Sequence, residues 1–265
     1  MNIKRMPDGS FGVDLEILDI FRDIKIPYVP VIDVAGGGGG DGYPGLCFTA
    51  NTAGSTIGMT KISGESMVVP NLETSTDGQN WIPFVAGSDT ITLANAGDKV
   101  YFRGNNPSGV SNPTGGYVYS FAMTGSIAAS GDITTIINPN GNLDTLPMYA
   151  FAYLFYNCTS LTSAPELRST NLGGGCYMTM FFNCTSLTSA PELPATTLPD
   201  GCYQAMFANC TSLNMIKIAY TGELGNMISY GWVSNVAPTG DFYYNGIEFN
   251  RNSSCVPEGW TVHTF

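Results

Sequence analysis

The chain has 265 residues, a net charge of −11 and only 12% charged side chains, against 32 glycines and 12% aromatics. That length holds two modest domains with a sizeable core, and the glycine and aromatic content favours turn-rich β structure over helical bundles. The acidic balance argues against nucleic-acid backbones and anionic membranes as partners, and no run of about 18 apolar residues is present to insert into a membrane.

Residues 1–35 read as an N-terminal anchoring arm. Leu15, Leu18, Phe21 and Ile24 are spaced for a short helix whose apolar side would hold a partner, whereas Val13, Leu15 and Ile17 alternate as in a strand; both readings stand. Asp8, Asp14, Glu16 and Asp19 lie where a secretory signal is apolar, so export by the ordinary route is not expected. The prolines of "IPYVPVIDVA" favour an extended path, and the glycine run within 36–44 reads as a hinge. It lacks the Gly-Lys-Ser/Thr that would make it a phosphate loop.

Residues 45–135 read as an antiparallel β-sandwich. "LCFTA", "TIGMTKI", "NLETST", "TITLA", "KVYFRG" and "YVYSFAMTG" are short β-forming runs punctuated by "TDGQN", "NAGD" and "NNPSG". Trp81 and Tyr101 are the expected core anchors; an exposed aromatic platform for sugar is the alternative.

From 136 to 224 the sequence repeats itself. "FYNCTSLTSAPEL" at 155–167 returns as "FFNCTSLTSAPEL" at 181–193, and "FANCTSL" begins a third copy at 207. The 26-residue period predicts a solenoid of three coils, 147–172, 173–198 and 199–224, each burying its apolar side against the next. Its expected structural ladder is Cys158, Cys184 and Cys210, Cys176 and Cys202, and Leu161, Leu187 and Leu213. The sandwich would cover the first coil, and residues 225–265, rich in aromatics, would form a C-terminal cap over the last. Tyr177 and Tyr203 recur at equivalent sites and read either as a ligand-binding face or as a packed column.

Chemistry-bearing residues are sparse. The gaps of 8 and 18 between repeat cysteines do not suit zinc, and the chain has one histidine, His263, so no metal and no cofactor are expected. A column of three cysteines cannot pair fully within itself, so the thiols read as free, buried spacers. Asn157, Asn183 and Asn209 form "NCT" sequons, but a stacked asparagine more simply bonds backbone at a turn. Glu166 and Glu192 imitate a glycosidase pair, yet any repeat generates such a pair, so the chain reads as no enzyme.

The unit "CYxxMFxNCTSLTSAPELPATTL", carried by Cys176, Tyr177, Met180, Phe181 and Asn183 through Leu198, resembles the BspA-like subclass of leucine-rich repeats. The ending "VPEGWTV" and the preceding "ITLANAGDKVYFRGNN" look like the flanks of such tracts. The resemblance implies a mostly β chain of the kind found in Bacteroidales surface proteins and in their tailed, crAss-like phages. Joined to the arm and hinge, it implies a virion structural protein, a head fibre, decoration protein or tail-associated fibre. Such a protein would be anchored to a capsid or tail protein of the same virion and would display a module for host attachment. A host-surface glycan or protein is the expected ligand, and a homotrimer the expected oligomer. The alternative is a bacterial cell-surface adhesin.

Overall fold

A computed structural model describes residues 3–5, 11–13, 45–225, 229–246 and 250–264. Leu15, Leu18, Phe21, Ile24 and the glycine hinge lie outside the described residues. Two compact units are present, 1–40 and 41–265. In the first, β1 (Ile3–Arg5) pairs antiparallel with β2 (Phe11–Val13).

The second unit is mostly β. Its strands are β3 (Cys47–Ala50), β4 (Ser55–Ser63), β5 (Asn71–Ser75), β6 (Ile82–Val85), β7 (Thr90–Leu93), β8 (Lys99–Gly104), β9 (Val118–Thr124) and β10 (Ile127–Ser130). After a 3-10 turn at Ile133–Ile136 come β11 (Leu161–Ser163), β12 (Met215–Ile218), β13 (Asp241–Tyr244) and β14 (Thr261–His263). No described helix is long and apolar enough to cross a membrane.

Six strands form one sheet in the order β11-β10-β3-β8-β5-β6, and three form another, β7-β4-β9. Their inner faces meet through aromatic rings. Phe48 on β3 and Phe102 on β8 lie 4.9 and 5.3 Å from Phe121 on β9. These are the core anchors of this part of the chain. Trp81 and Tyr101, expected in that role, are only half-buried. Trp81 packs under the Arg103 guanidinium at 4.3 Å, and Tyr101 faces outward because β8 buries the alternate residues Val100 and Phe102.

The repeat stacks directly on this sheet pair. Its aromatic segments form rows at 149–158, 175–184 and 201–210, and each row is a chain of tight turns. Alternate N–H groups close the turns, as Met180 to the Tyr177 carbonyl, while those between them reach the next row. Phe151, Tyr153, Phe155 and Asn157 donate to Cys176, Met178, Met180 and Phe182, and the pattern recurs 26 residues on. Every backbone donor is thereby satisfied without a helix or a long strand. The sheet pair joins in the same sense, with the Phe121 N–H donating to the Leu154 carbonyl at 2.8 Å and β10 pairing with β11 in parallel.

This turn geometry requires a left-handed residue at every fourth position. Tyr149, Tyr153, Thr179 and Ala205 accept it, as do Asn157, Asn183, Asn209 and Asn235 with φ between 56° and 64°. Asparagine suits that region better than most residues. Gly175 is needed twice over: its φ is +62°, and a Cβ there would come 2.4 Å from the Tyr149 ring.

The same register runs on into the segment expected to be a cap. Ala205, Phe207 and Asn209 donate to Tyr230, Trp232 and Ser234, and Ile216 on β12 pairs with Phe242 on β13, again 26 residues away. Residues 229–236 are thus a fourth row. The closing turn is shorter, since Phe242 pairs with Val262. Trp232 and Trp260 are both buried, and their indole N–H groups donate to the Cys255 and Ala237 carbonyls.

One hydrophobic core links all of these parts. Phe121, Phe155, Phe181 and Phe207 stack through it at successive centroid distances of 5.3, 5.3 and 5.6 Å. A second column runs Phe151, Tyr177, Tyr203, Trp232 at 6.0, 6.2 and 5.9 Å. Tyr177 and Tyr203 therefore form no ligand face. Both are 1% exposed, because the left-handed position beside them turns outward and sends the tyrosines into the stack.

Candidate functional site

With the inner side of the rows filled, binding chemistry falls to their outer sides. The "APEL" phrases of the first two rows line an open groove of about 500 Å³. Its apolar lining comes from Ala164, Pro165, Leu167, Pro191 and Pro194. The prolines carry no N–H, so this surface offers few backbone donors to an incoming strand and instead presents rigid C–H surface.

The groove's charges are neutralised within its rim. Arg168 pairs with Glu166 next to it, and Lys217 Nζ of β12 lies 2.8 Å from Glu192 Oε1. The glutamates, which sequence spacing places in one column, are thus each held by a cation. These exposed pairs contribute little to stability, but they leave no net charge facing a ligand.

The outer side continues across the three parallel strands β12-β13-β14, where Lys217, Tyr243 and His263 stand in register. The Tyr243 and His263 rings stack at 4.8 Å, and His263 Nε2 lies 2.7 Å from Asp241 Oδ1. A His–Asp pair is two-thirds of a hydrolytic triad. Among the described residues, however, no hydroxyl or thiol hydrogen-bonds the imidazole. Nor does any group of three His, Cys, Asp or Glu residues suit a metal ion there. His263 was not legible as part of a surface because nothing local marks β14; only the register with Tyr243 places it.

The ladder residues occupy the inner side. Leu161, Leu187 and Leu213 are fully buried, as are Cys176 and Cys202. Cys158, Cys184 and Cys210 donate their thiol protons to the Phe121, Phe155 and Phe181 carbonyls at 3.2, 3.1 and 3.0 Å. Burial pushes every one of these five thiols up, Cys202 and Cys210 to about 12. They are neutral spacers that also satisfy carbonyls. The sequon asparagines differ from expectation: Asn183 bonds the side chain of Asn157 rather than backbone.

One buried group is unsatisfied. The Tyr177 hydroxyl meets no hydrogen-bond partner among the described residues. Ser169, which lies beside it, donates instead to the Leu143 carbonyl. A buried hydroxyl without a partner costs about 1–3 kcal/mol. Tyr177→Phe is therefore expected to raise the unfolding free energy by about 1 kcal/mol in urea titrations, and a loss of that size would show that the hydroxyl is bonded in solution.

Compared with known protein families, with curated proteins and with solved structures, the chain matches none.

Proposed function

We propose that this chain is a non-enzymatic virion structural protein, a head fibre, decoration protein or tail-associated fibre. In this reading residues 1–35 dock on a capsid or tail protein, and the remainder is a two-sheet sandwich carrying a short solenoid of 26-residue coils. The solenoid displays a surface for host attachment. The observation that carries the reading is the division of each row: aromatic, cysteine and leucine side chains fill one core, while the groove side is neutral, proline-walled and open. Such a scaffold presents a surface and encloses no reaction chamber, which suits recognition of an external partner.

The thiols favour assembly in a host cytoplasm over export. Three of them donate hydrogen bonds as thiols, a form kept by reducing compartments. Mass spectrometry of purified particles from the source phage should find the chain at several copies per particle. Its absence from particles, with recovery in a bacterial envelope fraction, would replace this reading with the surface adhesin. Removing residues 1–35 should abolish incorporation and leave the rest soluble.

A further inference from the structure

Two columns on the turn side of the rows stop at the same place. Tyr156 of the first row stacks on Phe182 of the second, with centroids 5.2 Å apart and planes 16° apart. The same register puts Ala208 in the third row and Ser234 in the fourth, so no third ring covers Phe182. One residue along, the asparagine column breaks between the same rows. Asn183 Nδ2 donates to Asn157 Oδ1 at 2.9 Å, and Asn235 Nδ2 donates to Asn209 Oδ1 at 2.8 Å. The bond that would join the two pairs is missing. Asn183 Oδ1 and Asn209 Nδ2 have no partner among the described residues.

The break lies in the side chains and not in the scaffold. Rows two and three remain joined by Asn183 N–H to the Ala208 carbonyl at 2.8 Å. In the buried column beside it, Phe181 and Phe207 fill the same interval at 5.6 Å. The spacing between these rows therefore accommodates one ring, and over Ala208 the chain supplies only a methyl group. Tyr156, Phe182, Asn183 and Asn209 are all partly solvent-exposed.

The geometry points to a binding notch for one neutral pyranose ring, stacked on Phe182 over Ala208, with a hydroxyl that bridges Asn183 and Asn209. Three features of the ligand follow from the notch. It needs an apolar face, which the axial C–H groups of a pyranose give to an aromatic ring. It needs a rim group that donates to Asn183 Oδ1 and accepts from Asn209 Nδ2, which one hydroxyl does. It needs no charge, because the notch residues carry none and the chain as a whole is strongly acidic. A flat aromatic ligand without a hydroxyl meets the first need and fails the second. This inference rests on the rows being a displayed binding surface and not on their attachment to a virion.

The test is a titration of the full-length, 15N-labelled chain with the methyl β-pyranosides of glucose, galactose and N-acetylglucosamine into the millimolar range, with phenol as the comparison ligand. At least one glycoside should shift the amides of Asn183, Ala208 and Asn209 together. Ala208→Phe completes the aromatic column at a position where rows one and two already hold rings, and it should weaken that binding at least about tenfold with the fold retained. Asn209→Asp keeps the acceptor for Asn235, tolerates the left-handed φ and removes the free donor, so it should weaken binding by a similar factor. Shifts with phenol and none with any glycoside would overturn the assignment, as would no shift with any ligand or unchanged affinity in Ala208→Phe. None of these outcomes bears on whether the chain is found in particles, which the mass spectrometry decides separately.

Discussion

Phe181→Ala should cost about 3–5 kcal/mol of unfolding free energy, whereas Phe182→Ala, one residue along, should cost about 1. The contrast follows from where each ring stands. Phe181 is fully buried between Phe155 and Phe207, its ring nearly parallel to both at 3° and 5°. Its removal leaves a cavity that neither neighbour can fill, because both rings are held by their own rows. Phe182 is half-buried and stacks on Tyr156 alone, so water takes up much of the space it leaves. Domains of this size are stable by about 5–15 kcal/mol, so Phe181→Ala consumes a large part of the margin. Urea titration of the two variants gives the comparison directly. Equal losses would mean that the column is not the axis of the core.

The column was readable because the repeat spells it out. Phe155, Phe181 and Phe207 fall 26 residues apart within a nearly invariant phrase, and the phrase fixes their common depth. The strands of the sheet pair were legible where β-branched and aromatic residues alternate, as in β4, β8 and β9. Two strands were not. Pro83 hides β6, which tolerates it because β6 is an edge strand paired only to β5. The alanines of β10 carry little β preference, and that strand is made by β3 on one side and β11 on the other.

The fourth row shows a deeper limit. Trp232 and Val233 replace the Met206 and Phe207 of the row before, and no cysteine follows Asn235 at the expected place. Conserving volume and turn geometry is enough for the stack, and neither demands the same letters. Asn235 was the one surviving signal, since its left-handed turn cannot be relaxed cheaply. The outer sides were illegible for a related reason. Glu192 meets Lys217, and Tyr243 meets His263, only through registers of 20–26 residues that become visible once the rows are stacked.

Stability should collapse on the alkaline side, between about pH 9 and 10.5, in fully reducing buffer. The five thiols of the rows are pushed above their ordinary value of 9.0, Cys202 and Cys210 to about 12, chiefly by burial. Below about pH 9 folded and unfolded chains hold these protons equally, and the thiols contribute no pH dependence. Above it the unfolded chain releases them and the folded chain does not, so unfolding is favoured by about 1.4 kcal/mol per pH unit for each thiol. Five such groups together remove about 7 kcal/mol by about pH 10, comparable with the whole stability of a domain. The loss is complete only when pH passes the folded values near 12. Urea midpoints measured at about pH 8, 9 and 10 with a phosphine reductant would bracket the onset and trace the slope. Cys210→Ala should flatten that slope by about one-fifth while lowering stability at about pH 8, since it removes one titrating group and one buried side chain. A midpoint unchanged up to about pH 10 would mean that the thiols are not sequestered in the core, and with that the inward-facing ladder of the rows would fall.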